Sequence, residues 1–448
     1  MSSYIASPAG EVYGQIEVPG DKSISHRALM LGGIADGLTQ IDGFLASEDC
    51  LATLAALRAL GVAIERPADT QVRVHGVGLT GLQPPASALD LGNAGTAMRL
   101  IMGLLAGQRF DSTLVGDASL MRRPMERVAQ PLRSMGAHID TEGGRPPVRI
   151  HGGAALRAIE YALPVASAQV KSALLLAALY ARGRTAVTEP APTRDHTEHM
   201  LQDFGVQLTR DGARVSLDGA QRLRACRVRV PGDFSSAAFF LVAGCLAGRP
   251  GLTLRNVGCN PTRTGLLRLL ELMGAHIELR AATAPDGPAP GAQAEPVADI
   301  HVQAGALRGI RVPEELVALA IDEFPAFFIA AAAADGETTV TGASELRVKE
   351  TDRLEAMAEG LAALGVTCRL LPDGIVIQGI GAGARLGGGR IDSHGDHRIA
   401  MAFAIASLKA ADTIRIDDVA NVATSFPGFV ELARSVGLAL QVEPDVRS

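Results

Sequence analysis

Several features are scarce in this 448-residue chain, and each scarcity argues against a class of protein. Tryptophan is absent, and the five cysteines, spread from Cys50 to Cys368, form no CxxC pair, which is typical of a reduced, intracellular protein. The longest apolar runs, such as residues 237–247, reach about half of the roughly 20 residues that span a bilayer. The opening "MSSYIASPAGEVYG" has neither the basic nor the apolar part of a signal peptide. We therefore expect a cytoplasmic protein with no membrane segment.

An excess of positive charge is also missing. The chain has 42 Lys and Arg against 48 Asp and Glu, a net charge of −6, while 47% of its residues are hydrophobic. This balance argues against a general nucleic-acid surface, so clustered basic residues would mark a local site. The hydrophobic fraction predicts a large buried core.

What the chain does have is an internal repeat. Its first landmark is an amphipathic helix that ends in glycine and leads into a short strand, as in "LAALRALGVAI" and "LRLLELMGAHI". At each such glycine a helix end requires a left-handed residue. The six glycines are Gly61, Gly136, Gly205, Gly274, Gly365 and Gly437. One spacing is longer because it contains "AATAPDGPAPGAQAEP" (residues 281–296), which we interpret as a surface loop.

The second landmark is a helix that is apolar nearly all round but polar at its front, followed by a strand-like run. Examples are "DKSISHRALMLGGIADG" and "GDFSSAAFFLVAGCLAG", and a helix apolar on every face belongs inside a domain. Both landmarks occur six times, which gives six units of roughly 70 residues. We predict an α/β fold of the α+β type with two similar domains, each made of three units of sheet wrapped around buried parallel helices.

A repeated hexapeptide indicates where the domains meet. "VPGDKS" at Val18–Ser23 recurs as "VPGDFS" at Val230–Ser235, and we interpret the two copies as matching crossings. The predicted N-terminal domain spans residues 20–231, and the other domain combines residues 1–19 with 232–448. A Pro-Gly pair at each crossing suits a hinge that closes a cleft.

The polar helix fronts point to an anionic ligand. Helix N-termini carry partial positive charge and unpaired N–H groups that bind anions. If the fronts face the other domain, they line an interdomain cleft. The fronts and nearby loops also carry these cations: Lys22, Arg27, Arg122, Arg123, Arg194, Arg347, Lys349, Arg353 and Arg398. The alternative, that each arginine pairs with a neighbouring carboxylate on a solvated face, stays open for any single residue.

Ten motifs along the chain resemble those of the 5-enolpyruvylshikimate-3-phosphate synthase family. In order, they are "PGDKSISHRAL", "LGNAGTAMRL", "GDASLMRRPM", "ASAQVKSALLLA", "TRDHTEHML", "NPTRTG", "IDEFP", "ELRVKETDRL", "GDHRIAMA" and "ATSFPGF". The resemblance covers the chain to Phe429 and implies two domains of three repeated units with the active site in the cleft. It implies transfer of the enolpyruvyl group of phosphoenolpyruvate to the 5-hydroxyl of shikimate 3-phosphate, with release of phosphate, by a monomer that uses no metal or organic cofactor.

The resemblance also implies which residues bind each substrate. For shikimate 3-phosphate they are Lys22, Ser23, Arg27, Ser167, Ala168, Gln169, Arg194, Asp322 and Lys349. For phosphoenolpyruvate they are Lys22, Asn93, Gly95, Thr96, Arg123, Gln169, Glu350, Arg353 and Arg398. Planar guanidinium groups suit these ligands because they bind carboxylate and phosphate in a bidentate way.

Two carboxylates are candidates for the proton transfers. The 5-hydroxyl must lose a proton as it attacks C2, and the methylene carbon C3 must gain one. We expect Asp322 to be the base and Glu350 to donate the proton, with Lys22 assisting. Without the resemblance, a helix N-cap stays open as the alternative for Asp322, and a solvated ion pair is an equal alternative for Glu350.

The chain departs from the family at one point and leaves alternatives open. Some members carry a lysine before Phe426-Pro427, where this chain has Thr424-Ser425, so that contact is in doubt. The motifs resemble the branch that includes glyphosate-tolerant members, but those have Ala where Gly95 stands, and we therefore expect glyphosate to inhibit.

The rival functions are a UDP-N-acetylglucosamine enolpyruvyl transferase and a non-catalytic anion-binding scaffold. The former usually has a cysteine in the loop matching "GDASLMRRPM", which is absent here. Two histidine pairs, His196 with His199 and His394 with His397, have helical spacing. For these we prefer hydrogen bonding at helix starts to metal binding.

Overall fold

The two copies of the repeated hexapeptide end in the same local structure. In the computed structural model, which describes residues 2–282 and 295–444, the Asp21 side chain accepts a hydrogen bond from the Ile24 N–H at 2.9 Å. The Asp233 side chain accepts from the N–H groups of Ser235 and Ser236, both at 3.2 Å. Each aspartate therefore caps a helix and satisfies N–H groups that have no partner within it.

Helices and strands alternate along the described chain. The α-helices are α1 Lys22–Ile34, α2 Glu48–Ala59, α3 Gly95–Leu105, α4 Glu126–Ser134, α5 Ala168–Ala178, α6 His196–Asp203, α7 Phe234–Ala247, α8 Gly265–Leu272, α9 Glu314–Val317, α10 Phe324–Ala333, α11 Arg353–Ala363, α12 His397–Ala406 and α13 Phe429–Ser435. Short 3-10 helices span Leu120–Arg122, Ser344–Val348, Ser407–Lys409 and Ala420–Thr424.

The strands, also in chain order, are β1 Ser3–Ser7, β2 Gly14–Glu17, β3 Asp36–Asp42, β4 Ala63–Ala68, β5 Gln71–Val77, β6 Leu89–Asp90, β7 Ser112–Val115, β8 His138–Glu142, β9 Arg145–His151, β10 Glu160–Ala162, β11 Arg184–Thr188, β12 Leu208–Asp211, β13 Arg214–Asp218, β14 Arg227–Arg229, β15 Leu252–Gly258, β16 His276–Ala281, β17 Val297–Gln303, β18 Asp335–Val340, β19 Thr367–Leu371, β20 Gly374–Ile380, β21 Gly389–Asp392, β22 Ile414–Asp417 and β23 Ala439–Glu443.

The six repeated glycines adopt the conformation that the sequence predicts. Their φ angles lie between +84° and +106°, in the left-handed region where a Cβ would be strained. Each follows a helix by two residues and precedes a strand, as Gly61 does between α2 and β4. The glycines thus end one helix per unit and turn the chain into the sheet.

The six helices predicted to be buried are α1, α3, α5, α7, α10 and α12. Every residue of α7, α10 and α12 is buried. In α1, α3 and α5 the residues that are not buried lie in the first turn, and they are Lys22, Ser23, Thr96, Ala168 and Gln169. Burial of apolar surface therefore encloses these helices and leaves polar first turns accessible in three of them.

The described chain forms two compact units with three sheets each. Gly20–Val230, with Glu295, makes one unit, and its sheets have the orders β14-β3-β5-β4, β6-β7-β9-β8 and β10-β11-β13-β12. The other unit comprises the remaining described residues, with sheets β21-β22-β1-β23, β16-β17-β15-β2 and β18-β20-β19. Each unit has its own hydrophobic core. The predicted α/β class, with two similar three-unit halves, is confirmed.

The sheets share a plan that shows how the units repeat. The strand after each buried helix has an antiparallel neighbour on one side and, in five sheets of the described chain, a parallel strand on the other, as β3 has β5 and β14. In the sixth sheet the parallel contact to β18 consists of single bridges from Arg308 and Arg311.

Two further predictions concern loops and membrane segments. Most of the predicted surface loop at 281–296, namely residues 283–294, lies outside the described part of the chain. In the part of the chain that is described, no helix has the length and apolar character to cross a membrane.

A buried histidine in α1 links stability to pH. His26 is completely buried, its Nδ1 lies 2.8 Å from Thr53 Oγ1, and its pKa is lowered to about 3 by burial and then by Lys22 and Arg27. Below about pH 6.5 the unfolded chain binds a proton at this histidine and the folded chain does not. The contribution of neutral His26 to the free energy of unfolding is therefore complete above pH 6.5 and is lost as the pH falls towards 3. Replacing His26 by Gln should reduce the pH dependence of the unfolding free energy by up to about 1.4 kcal/mol per pH unit between pH 6.5 and 4.5.

Urea unfolding at pH 7, 5.5 and 4.5 measures this difference. His138→Gln, at an exposed position of β8, is the control and should keep the wild-type pH dependence. Parallel curves for wild type and His26→Gln would show that His26 takes up no proton on unfolding in this range.

Candidate active site

In the unit Gly20–Val230, side-chain hydrogen bonds connect α5 to both α3 and α1 near their starts. Gln169 Nε2 donates to Thr96 Oγ1 at 2.8 Å, which joins α5 to α3. Arg27 Nη2 donates to Ser172 Oγ at 2.9 Å, which joins α1 to α5. The start of α3 therefore lies beside the start of α5, where partial positive charges of two helix N-termini are close together, and α1 is connected to the next turn of α5.

Lys22 and Arg27 are the cations of α1 in this arrangement. Lys22 Nζ lies 3.0 Å from Asp49 Oδ2, and the lysine side chain is 18% exposed. Arg27 is buried, and besides Ser172 it donates from Nε to Thr197 Oγ1 at 2.6 Å and from Nη1 to the Ser23 carbonyl at 2.9 Å. The Lys22 side chain is thus accessible, while the Arg27 guanidinium is fixed in place by three neighbours.

The start of α3 lies against the loop that carries Arg123. Asn93 donates to Asp117 Oδ2 at 2.7 Å and accepts from Arg123 Nη2 at 2.5 Å, so the amide orients the buried guanidinium. A Cβ at Gly95 would lie only 2.8 Å from Arg123 Nη1. The glycine therefore allows Arg123 to lie directly over the helix start.

Arg99 belongs to this group, although the sequence did not single it out. It is buried, and its Nη1 donates to Gln169 Oε1 at 2.7 Å. Its Nη1 also comes within 3.4 Å of the position of a Cβ at Gly95. Arg99 thus fixes the amide orientation of Gln169 and adds a second guanidinium beside Arg123. Its position within an apolar helix was the available signal.

Three further predicted residues lie at the start of α5 and before α6. Ser167 is the N-cap of α5 and accepts from the Val170 N–H at 3.4 Å, and Ala168 is the first residue of that helix. Arg194 precedes α6 and is half-buried. We call the predicted residues of this unit, together with Arg99, the helix-start cluster. Its members are Lys22, Ser23, Arg27, Asn93, Gly95, Thr96, Arg99, Arg123, Ser167, Ala168, Gln169 and Arg194.

In the other unit, Arg353 is the centre of a group of carboxylates. The side chain of this first residue of α11 is 1% exposed, and its Nε lies 2.8 Å from Asp396 Oδ2. Its Nη2 donates to Glu350 Oε2 at 2.7 Å, and its Nη1 lies 3.4 Å from Asp322 Oδ1. Burial lowers the pKa of Arg353, but the carboxylates of Asp396, Glu350 and Asp322 reverse this and raise it above its usual value.

Asp322 is held by cations and does not cap a helix. Its Oδ1 lies 3.3 Å from Lys349 Nζ, and its carbonyl accepts from Arg398 Nη1 at 3.1 Å. The N-cap of α10 is the next residue, Glu323, so the alternative interpretation of Asp322 as an N-cap is wrong. We call the following set the acid–arginine cluster: Asp322, Lys349, Glu350, Arg353, Asp396 and Arg398.

Asp396 is the member of this cluster that the sequence did not predict. It is fully buried, caps α12 by accepting from the Arg398 N–H at 2.8 Å, and binds Arg353 with the same carboxylate. A second buried group in this unit joins Arg263 to Ser235 at 2.7 Å and to Glu323 at 3.8 Å. An Asp immediately before a buried helix was the signal for Asp396.

The departure at Thr424-Ser425 is structural in this chain. Both residues are buried, and Thr424 Oγ1 donates to the Asn421 carbonyl at 2.7 Å. The adjacent Phe426 packs edge-on against Phe240 with ring centroids 6.1 Å apart. As for metal, no group of three or more His, Cys, Asp or Glu side chains suited to a metal ion occurs within residues 2–282 and 295–444.

Comparisons with known proteins agree on one family. The family model described as EPSP synthase (3-phosphoshikimate 1-carboxyvinyltransferase) matches residues 7–432. The 3-phosphoshikimate 1-carboxyvinyltransferase of Methylococcus capsulatus is 59% identical over 440 residues, which cover 98% of each chain. That of Halorhodospira halophila is 59% identical over 438 residues, covering 98% of this chain and 96% of its own. A solved EPSP synthase structure from Acinetobacter baumannii has a TM-score of 0.87 and 50% identity, covering 99% of this chain and 100% of its own.

The acid–arginine cluster predicts a large stability effect. Arg353→Met should lower the free energy of unfolding by about 3–5 kcal/mol, because it leaves three carboxylates without their shared buried cation. Arg268→Met is the control, since this exposed arginine pairs with Glu271 on the surface of α8 and should change stability by less than about 1 kcal/mol. Urea unfolding at pH 7 measures both. Equal effects of the two replacements would contradict a buried ionic centre at Arg353.

Proposed function

The chain belongs to the EPSP synthase family, and from that premise we propose how its two clusters divide the reaction. The enzyme moves the carboxyvinyl group of phosphoenolpyruvate to the 5-hydroxyl of shikimate 3-phosphate and releases phosphate, in the shikimate pathway of aromatic amino acid biosynthesis. The match to this family decides against UDP-N-acetylglucosamine as the acceptor. The observation that carries the proposal is the acid–arginine cluster, because binding phosphates alone would need no carboxylates at its centre.

The helix-start cluster binds the shikimate 3-phosphate. Ser167, Ala168 and Arg194 take the 3-phosphate, which gains from the N-terminus of α5 and from a guanidinium. Lys22, Ser23 and Arg27 bind the same substrate at the start of α1. Asp322 and Lys349 bind this substrate as well.

Phosphoenolpyruvate binds to guanidinium groups. Arg123, Arg353 and Arg398 bind its carboxylate and phosphate, and Lys22 contacts it as well. Asn93, Gly95 and Thr96 form the wall beside it, and Gln169 lies between the two substrates. Two hydrogen bonds support this arrangement: Arg99 holds the Gln169 amide at 2.7 Å, and Asn93 holds the Arg123 guanidinium at 2.5 Å. Because these side chains are already ordered, substrate binding needs to order little more.

Two carboxylates transfer the protons. Asp322 accepts the proton of the 5-hydroxyl as its oxygen bonds to C2, and Glu350 gives a proton to C3, with Lys22 assisting. In the second half of the reaction C3 returns a proton to Glu350, the bond from C2 to the phosphate oxygen breaks, and the phosphate leaves with the proton that Asp322 held, which restores both carboxyl groups. Arg353 contacts both carboxylates, at 3.4 and 2.7 Å, so one buried side chain fixes the separation of acid and base.

Phosphate release from phosphoenolpyruvate in EDTA tests this proposal. We expect release that requires shikimate 3-phosphate and is insensitive to EDTA. Asp322→Asn and Glu350→Gln should each slow it by about 10²–10⁴-fold, the usual range for losing a general acid or base. Glu355→Gln, an exposed position on α11, is the control and should keep the wild-type rate.

The two carboxylates are distinguished by hydrogen exchange at C3. In deuterated water Glu350→Gln should lose deuterium incorporation into the methylene group of phosphoenolpyruvate along with turnover. Wild-type rates in either carboxylate variant would remove that residue from the mechanism. Phosphate release that is independent of shikimate 3-phosphate would overturn the acceptor.

Glyphosate should inhibit this enzyme in competition with phosphoenolpyruvate. An added methyl group at Gly95 would come within 2.8 Å of the Arg123 guanidinium and must displace it, so Gly95→Ala should raise the glyphosate inhibition constant at least tenfold, about 1.4 kcal/mol. Because we propose that the same guanidinium binds phosphoenolpyruvate, the KM for phosphoenolpyruvate should also rise. Gly383→Ala is the control, since a Cβ there meets nothing within 4 Å. An unchanged inhibition constant in Gly95→Ala would contradict the contact between Gly95 and the inhibitor site.

A further inference from the structure

A lysine that the proposed mechanism does not use is completely buried in α5. Lys171 has a side-chain exposure of 0%, and its Nζ lies 2.8 Å from Glu189 Oε2 and 2.7 Å from Glu198 Oε1. Both carboxylates are themselves 3% exposed. An ammonium group in an apolar interior is costly unless it is paired, and here two carboxylates share it.

The two carboxylates stand at either end of one segment. Glu189 directly follows β11, and Glu198 lies in the first turn of α6. The residues between them include Arg194. Glu189 also accepts a hydrogen bond from Thr193 Oγ1, the residue before Arg194. One ammonium group therefore fixes both ends of the segment that carries Arg194.

Lys171 also lies about one helical turn from Ser167 and Ala168, the other residues that we propose to bind the 3-phosphate. Ser167, Ala168 and Gln169 begin α5, and the neighbouring Ser172 accepts a hydrogen bond from Thr197 at 2.7 Å. α5 and α6 are thus joined by an ionic contact and by a hydroxyl contact at adjacent residues. This double connection sets the distance between the start of α5 and the segment that holds Arg194.

We propose that Lys171 is a positioning residue for the phosphate subsite: by binding Glu189 and Glu198 it holds Arg194 at the distance from the N-terminus of α5 that the 3-phosphate requires. The inference rests on the proposed function, in which Arg194 and the start of α5 bind that phosphate. Lys171 itself is too deeply buried to touch substrate. Lys171 therefore affects binding of the 3-phosphate group and not binding of the shikimate ring.

Binding of shikimate 3-phosphate and of shikimate, which lacks the phosphate, separates this role from general damage. Isothermal calorimetry is the suitable method, because the chain has no tryptophan to report binding. In the wild type we expect the phosphate to tighten binding strongly. In Lys171→Met the affinity for shikimate 3-phosphate should fall by about 10–100-fold, the range of a lost charge-assisted contact, while affinity for shikimate changes less than about twofold.

Two further variants decide whether charge balance alone explains the effect. Leu174→Ala removes a buried side chain one turn further along α5; it should destabilise the protein as Lys171→Met does yet keep the preference for the phosphate. Lys171→Met with Glu189→Gln and Glu198→Gln removes the uncompensated charges and should regain stability but not phosphate affinity. If this triple variant binds shikimate 3-phosphate like the wild type, Lys171 serves charge balance only and the proposal is wrong.

A milder replacement covers the case in which Lys171→Met does not fold. Thr193→Val removes only the hydroxyl that bonds to Glu189, and it should lower shikimate 3-phosphate affinity several-fold without changing shikimate binding. Equal changes for both ligands, or none, would overturn the positioning role. A wild type that binds both ligands equally would instead overturn the proposed phosphate subsite, so the two failures are distinguishable.

Discussion

The enclosure of helices that are apolar on every face is the constraint on which the site depends. Such a helix has no polar face that could be exposed to water. A sheet must therefore cover one side of it, and neighbouring helices must pack on the rest of its surface. Its ends are then the positions where polar groups can lie. In α1, α3 and α5 the residues that escape burial all belong to the first turn, where N–H groups and partial positive charge are concentrated. The same burial that stabilises the unit therefore leaves accessible polar groups at these helix starts.

The two units fill their helix starts in different ways. In the unit Gly20–Val230 only one of the three buried helices has an acidic N-cap, because the N-cap residues of α1, α3 and α5 are Asp21, Ala94 and Ser167. In the other unit the N-cap residues of α7, α10 and α12 are all acidic: Asp233, Glu323 and Asp396. These buried carboxylates require arginines, which Arg263 and Arg353 supply. The second unit thus has buried carboxylates paired with arginines at the starts of all three of its buried helices, whereas the first unit has such an acidic start only at α1.

The sequence predicts local features well and long-range contacts poorly. The six glycines were predictable because a helix end needs a left-handed residue whatever surrounds it. The buried helices were predictable because their composition leaves no polar face. The pairing of Arg99 with Gln169 or of Lys171 with Glu198 joins residues on different elements, and no spacing in the chain shows which of many carboxylates or amides a buried cation will meet. Asp322 shows the same limit at short range, since its place before a helix suggested an N-cap whereas the fold gives that place to Glu323.

Buried ion centres are a poor way to gain stability, and this argues that geometry is the reason for them. The cost of removing charges from water is often larger than their mutual attraction, so well-packed apolar groups would stabilise the same space as well or better. Arg353 and Lys171 nevertheless each bring carboxylates from separate elements to within 3.5 Å of one cation. In the acid–arginine cluster three carboxylates face three cations. Because apolar packing would stabilise the same space at least as well, the fixed positions of these carboxylates and cations are the property that such a centre provides.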